Sequence, residues 1–162
     1  MTLEIVNRED WGAKVPLAHN VLEHPVNYVV CMATNGYPCY NNSVCKFTLR
    51  YVQSFHMKRK KMKDIRFNFM IVGNGKIYEG RGWHHAPLLP QQFLNINSQS
   101  ILIGFVGQYD EETLPEEMLT AREELVKYGI ENNYIDKDCK RWEIFKRKEG
   151  IDQPEQIVQT TK

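Results

Sequence analysis

Gly73-Asn74-Gly75-Lys76-Ile77-Tyr78-Glu79-Gly80-Arg81-Gly82-Trp83 is the stretch that decides the fold. Asn74-Gly75 separates an apolar run, Phe67 to Val72, from the short run Lys76 to Glu79. Asn and Gly accept the positive φ angles of a tight primed turn, so the three pieces predict a β-hairpin. Upstream, Val26 to Thr34 (VNYVVCMAT) is β-branched and nearly all apolar in its middle, as a central strand buried on both faces should be. Downstream, Ser100 to Gly107 (SILIGFVG) predicts another buried strand. From Val44, the residues Phe47, Tyr51, Phe55 and later Met62 recur at helical spacing, which predicts a helix with those residues as its apolar face. Its end carries Lys58-Arg59-Lys60-Lys61, cations that suit a helix C-terminus. A nuclear-localisation or phosphate-binding patch is the alternative reading of that run, and the balanced charge of the chain argues against it. Thr113-Leu114-Pro115-Glu116 has capping-box spacing and predicts a second helix, with Met118, Ala121, Leu125 and Tyr128 on its apolar face and Gly129 as its stop. Strands and helices that alternate in this way predict a mixed α/β domain.

With 162 residues, of which 42% are apolar, the chain is long enough for one domain with a sizeable core. Its formal net charge of +1 excludes the global attraction on which most nucleic-acid binders rely. No apolar run approaches a membrane span. Met1-Thr2-Leu3-Glu4 lacks a signal-peptide pattern, which leaves a cytosolic chain or an excised part of a longer precursor as expectations. Cys39 and Cys45 are too close for the halves of a zinc ribbon. Their spacing suits a local disulfide, with a chance pair of thiols as the alternative. Asn41-Asn42-Ser43 between them is a glycosylation sequon on a predicted exposed loop. Both features point outside the cell. Cys31 reads either as a small buried hydrophobe or as a partner for Cys139 in a further disulfide. From Asp136 onward the chain is highly charged, and its last dozen residues are expected to fray.

Read together, these stretches resemble the peptidoglycan recognition protein domain, a relative of T7-type N-acetylmuramoyl-L-alanine amidases. Arg8-Glu9-Asp10-Trp11-Gly12-Ala13 is similar to the family's R-x-x-W-G-A opening. Pro25 to Val30 is similar to the run into its first central strand, and Arg50 to Met57 to its long-helix motif. Asp64-Ile65-Arg66-Phe67-Asn68-Phe69 stands in place of D-I-G-Y-N-F, and residues 73–83 are close to G-x-G-x-x-Y-E-G-R-G-W. Recognisable motifs span residues 7–138 of a single domain over 1–162, with a divergent part at 139–162. The resemblance implies a central mixed β-sheet flanked by helices, a groove that holds a muropeptide, and the Cys39–Cys45 disulfide.

Enzymatic members hold zinc at the groove floor with two His and one Cys. Such a centre needs three protein ligands and an open position for the activated water. Here the first ligand position falls on Met32, its neighbour on Ala33, and the assisting tyrosine on Phe67. A thioether is a poor zinc ligand and a methyl group is none. The late ligands should come from an H-R-x-V stretch and a Cys-Pro-Gly, where this chain reads Trp142 to Arg147 and then Asp152-Gln153-Pro154. The expectation is a non-catalytic domain with no metal and no cofactor. A working amidase with relocated ligands, His84 or His85 with Cys31, is an alternative.

The resemblance places Thr34, Arg66, Phe67, Tyr78, Trp83, His84 and His85 near the groove. The segment HHAPLLPQQFLNINSQ between Trp83 and Ser100 is a few residues longer than the family's and carries Leu88, Leu89, Phe93 and Leu94. These bulky residues are expected to fill the groove, to extend the core under a variable loop, or to form a partner patch. Taken with the lost ligands, they imply an extracellular receptor domain in innate immune sensing. Such a domain would pair with another family domain loaded with a diaminopimelate-type muropeptide, without membrane contact of its own. A decoy that binds a receptor without ligand and a solitary muropeptide binder are the alternatives.

Overall fold

The computed structural model of the protein describes residues 3–145 and the backbone of 156–160. The strands are β1 (Ile5–Val6), β2 (Val26–Ala33), β3 (Phe69–Ile71), β4 (Ile77–Glu79), β5 (Ser100–Phe105), β6 (Ile135–Phe145) and β7 (Gln156–Thr160). The helices are α1 (Arg8–Trp11), α2 (Asn42–Ser54) continued by a π-helical turn (Phe55–Arg59), a 3-10 segment (Gln91–Gln99) and α3 (Glu116–Glu131). Among the described residues the strands form one seven-stranded sheet in the order β1-β4-β3-β5-β2-β6-β7. It is mixed: β3–β4 and β6–β7 pair antiparallel, the other neighbours parallel.

β2 lies between β5 and β6, and its side chains alternate between two cores. Val29 and Cys31 pack on the α3 side with Ile101, Ile103, Met118 and Leu125. Val30 and Met32 pack on the α2 side with Leu49, Met70, Leu102 and Ile144. The doubly apolar pattern of VNYVVCMAT has this cause. The Cys39–Cys45 disulfide is formed, while Cys31 and Cys139 are both buried and form no bridge with each other. Burial pushes the Cys31 thiol up to about 11, so it sits neutral in the core.

Several local expectations are corrected. The hairpin exists, but Gly75 alone in its turn takes a positive φ (86°), and its N–H reaches the Val72 carbonyl at 2.8 Å. The connection is therefore a longer turn closed by a left-handed glycine, not a primed two-residue turn. In α2 the Val44, Phe47, Tyr51 and Phe55 stripe faces solvent, with Phe47 66% and Tyr51 63% exposed. The buried face is Cys45, Leu49 and Gln53. The disulfide turns Cys45 inward, and the Gln53 amide is held inside by the Lys14 backbone and Asp64.

Thr113 makes no capping box: its hydroxyl accepts from the Asp110 N–H at 2.9 Å, and α3 starts after Pro115 without a side-chain cap. Gly129 does not stop α3. It lies one turn inside, where a Cβ would come within 2.5 Å of Ile135 and 2.9 Å of Trp83. The helix ends at Glu131, with Asn132 as its C-cap and Asn133 in the left-handed region. The described part of the charged stretch after Asp136, up to Phe145, is strand β6. Arg141 reaches Glu123 of α3 through two hydrogen bonds of 2.9 and 2.6 Å, and Arg122 pairs with Glu143. Within the tail expected to fray, Gln156–Thr160 pairs with β6 as β7, and the rest lies outside the described residues.

Candidate functional site

The site face is the α2 side of the sheet. Its frame is tied by the residues that carry the sequence motifs. The Arg8 guanidinium donates to both Asp64 oxygens (2.8 and 3.1 Å) and to the Gly80 carbonyl (2.6 Å), and Trp11 Nε1 donates to the Glu79 carbonyl at 2.7 Å. Arg81 Nε donates to the Ile65 carbonyl at 2.7 Å and a second Arg81 nitrogen to the Ala86 carbonyl at 3.0 Å. Fully buried Asn68 accepts from the Leu102 N–H and donates to the Gly82 and His85 carbonyls.

Across this frame the insertion folds back onto the sheet. The 3-10 segment packs on β2 and β5. Leu89 and Phe93 join Met32, Phe67, Leu102 and Ile144 in one apolar cluster, with Ile96 and Trp142 at its margin. Asn97 clamps the turn, accepting from the Leu89 N–H and donating to the Pro87 carbonyl, both at 2.8 Å. Leu89 is 2% exposed and Leu94 46% exposed. The predicted partner patch is therefore corrected: Leu89 and Phe93 are buried in the apolar cluster on the sheet face, Leu88 is half-buried, and Leu94 faces solvent.

The predicted groove residues separate in the same way. Phe67 is buried over Gly104, and Arg66 is half-buried beside it. Arg66 Nε donates to the Leu88 carbonyl at 2.9 Å, and the Leu88 N–H donates back to the Arg66 carbonyl. Thr34 follows β2 and accepts from the Gly107 N–H. Tyr78 is a core residue under α2, fully buried, with its hydroxyl donating to Asn42 at 2.8 Å. Trp83 lies on the opposite face, stacked on Tyr134 (4.8 Å between centroids) and near Phe69. His84 and His85 diverge: His84 pairs with His24, and His85 with His19.

Zinc does not fit the corner that the resemblance points to. Met32 lies opposite Ile144 in the β2–β6 ladder, and with Phe67 the three present only a thioether and hydrocarbon. Among the described residues, no group of three or more His, Cys, Asp or Glu is gathered to hold an ion. Asp152-Gln153-Pro154, at the last ligand position, lies outside them.

Beside Phe67 lies His56, a residue of the long-helix motif whose role the sequence does not reveal. It is 8% exposed on the π-helical turn, and its Nδ1 accepts from the Arg66 N–H at 3.1 Å. Burial, reinforced by Arg66, Arg81 and Lys60, pushes it down to about 4. Between pH about 6.5 and about 4 the unfolded chain therefore holds a proton on this ring that the folded protein does not. Stability falls as pH drops through that window, by about 3 kcal/mol over its whole span. Urea titrations at pH 7 and 4.5 should show His56→Gln losing less stability on acidification than the unsubstituted chain. Equal losses would mean that the buried ring is not held neutral.

An amidase-type α/β sheet with an apolar floor where the metal would lie is the class of protein that fold and site define. The sequence profile described as N-acetylmuramoyl-L-alanine amidase matches residues 22–158. Peptidoglycan-recognition protein SC2 of Drosophila simulans is 33% identical over 131 residues, 81% of this chain and 70% of that protein. The crystal structure of the ectodomain of the Drosophila transmembrane receptor PGRP-LCa superposes with a TM-score of 0.79 at 26% identity, over 85% of this chain and 83% of that one. A solved structure of tracheal cytotoxin bound to the ectodomain complex of PGRP-LCa and PGRP-LCx matches with a TM-score of 0.80 at 28% identity, over 86% of this chain and 82% of that one. The chain belongs to the peptidoglycan recognition protein family, within the N-acetylmuramoyl-L-alanine amidase fold.

Proposed function

We propose that this domain is a non-catalytic receptor module of innate immune sensing, which pairs with a second family domain presenting a muropeptide. The observation that carries the reading is the filled groove floor: Leu89 and Phe93 occupy the face with Met32 and Phe67, where a hydrolytic centre would need donors and space. A module without its own open groove contributes by binding what a partner displays. The complex in which tracheal cytotoxin is bound to PGRP-LCa and PGRP-LCx together is the precedent among its structural neighbours. The domain works outside the cell in this reading, which the disulfide supports. Asn41 is then a glycan acceptor: it is exposed, and its Oδ1 caps α2 through the Val44 N–H, leaving the amide nitrogen outside the cap.

The test is sedimentation velocity of this chain mixed with a ligand-binding family domain, with and without a monomeric diaminopimelate-type muropeptide. Association only with muropeptide is the expected result. Association without it would replace the co-receptor by a decoy, which the same filled groove would serve equally well. Release of stem peptide from peptidoglycan by the chain alone would overturn the non-catalytic reading.

A further inference from the structure

Four of the five histidines lie in two neighbouring chain segments, as the pairs His19–His85 and His24–His84. Residues 19–24 and 84–86 run side by side, joined by the Val21–His85 bridge. The Leu22 N–H donates to the His84 carbonyl at 2.9 Å, and the Ala86 N–H to the Asn20 carbonyl at 2.8 Å. The backbone that carries the imidazoles is thus fixed before any ligand arrives.

We propose that His24 and His84 form an open two-imidazole site for a divalent transition ion of the zinc type. Their ring centroids are 5.2 Å apart with planes at 67°. Two imidazoles that share a tetrahedral ion through bonds of about 2.05 Å hold their centroids about 5.2 Å apart, and about 4.5 Å apart at a right angle. The His19 and His85 rings, at 3.8 Å and 36°, are stacked too closely to share one. The ring separation therefore admits the first pair and excludes the second.

The hydrogen bonding supports the same pair. His24 Nε2 lies 2.5 Å from the Trp83 carbonyl, which can only accept, so this nitrogen carries the proton and Nδ1 carries the lone pair. A backbone carbonyl behind the far nitrogen is the usual outer support of a metal-ligating histidine, fixing its tautomer and raising its basicity. The Tyr134 ring stands steeply to both, with centroids at 5.0 and 5.6 Å, and Trp83 stacks on Tyr134. His84 is exposed and His24 half-buried beside a cleft lined by Glu23, Asn27 and Gln99, so each ring is in reach of solvent. Water or a side chain of a bound protein completes the coordination.

The experiment is calorimetric titration of the untagged full chain with zinc chloride in a non-chelating buffer at neutral pH, with thermal unfolding followed in parallel. One ion per chain is expected, with a rise in Tm that grows with free zinc. His84→Ala, an exposed substitution that leaves the Trp83 hydrogen bond intact, is expected to weaken binding by about tenfold or more and to abolish the Tm rise. His19→Ala is expected to leave both unchanged. Absence of binding at millimolar zinc, binding that survives His84→Ala, or binding lost in His19→Ala would each overturn the assignment.

Discussion

Asp64→Ala is expected to destabilise the domain by about 3–5 kcal/mol, the scale of breaking a buried ion pair from one side. Asp64 is buried and receives Arg8 through two bonds, Gln53 of α2 at 3.0 Å and the Ile65 N–H at 2.7 Å. Removal of the carboxylate leaves a guanidinium, an amide and a backbone N–H in a site with little water to satisfy them. It also unties three segments at once: the opening motif, the inner face of α2, and the entry to β3. Asp64→Asn keeps the volume and one acceptor and is expected to cost less than the alanine change. Arg8→Lys, which cannot make the forked contact, should fall nearer to the asparagine variant. Urea denaturation of the three variants measures the order. A cost below about 1 kcal/mol for Asp64→Ala would mean that the segments are held by apolar packing alone.

That network explains why motif reading succeeded for the family and overreached for the site. Arg8, Trp11, Asp64, Asn68 and Arg81 are tied to backbone and to one another, so these motif residues record how the sheet is framed. Tyr78 and Trp83 belong to the same lesson. Both lie in the most specific motif, yet one is core under α2 and the other packs, half-buried, against the core on the α3 side. The central strands were readable because burial on both faces demands continuous apolar residues, which few other elements tolerate. The inward face of α2 was not readable from hydrophobicity. A disulfide and a buried glutamine decide it, and the aromatic stripe is turned outward. β6 was hidden because two of its inner charges, Arg141 and Glu143, are satisfied by Glu123 and Arg122 on α3, partners that lie outside it in sequence, while Lys137, Asp138 and Lys140 face solvent. The fate of the insertion was open as well, since Leu89 and Leu94 are the same residue type, five positions apart, and only the path of the 3-10 segment separates them.

Leu89→Ala and Leu94→Ala therefore form the sharpest test of the filled groove. Leu89 packs at 2% exposure in the cluster with Phe67 and Ile144, and its truncation should cost about 2–5 kcal/mol, depending on how far the Asn97-clamped turn can collapse. Leu94, 46% exposed, should tolerate the same change within about 0.5 kcal/mol. The expected ranking in urea midpoints is a large shift for the first and almost none for the second. Equal small shifts would mean that the insertion lies off the sheet and that the groove is open, which would return the domain to the class of solitary muropeptide binders. On the co-receptor reading the two positions also differ in association. Leu94 lies on the outer surface of the insertion, so Leu94→Asp should weaken muropeptide-dependent pairing without lowering stability. Leu89→Ala should lower stability while the pairing of the folded fraction persists, because its side chain fills the floor beneath that surface and does not reach it.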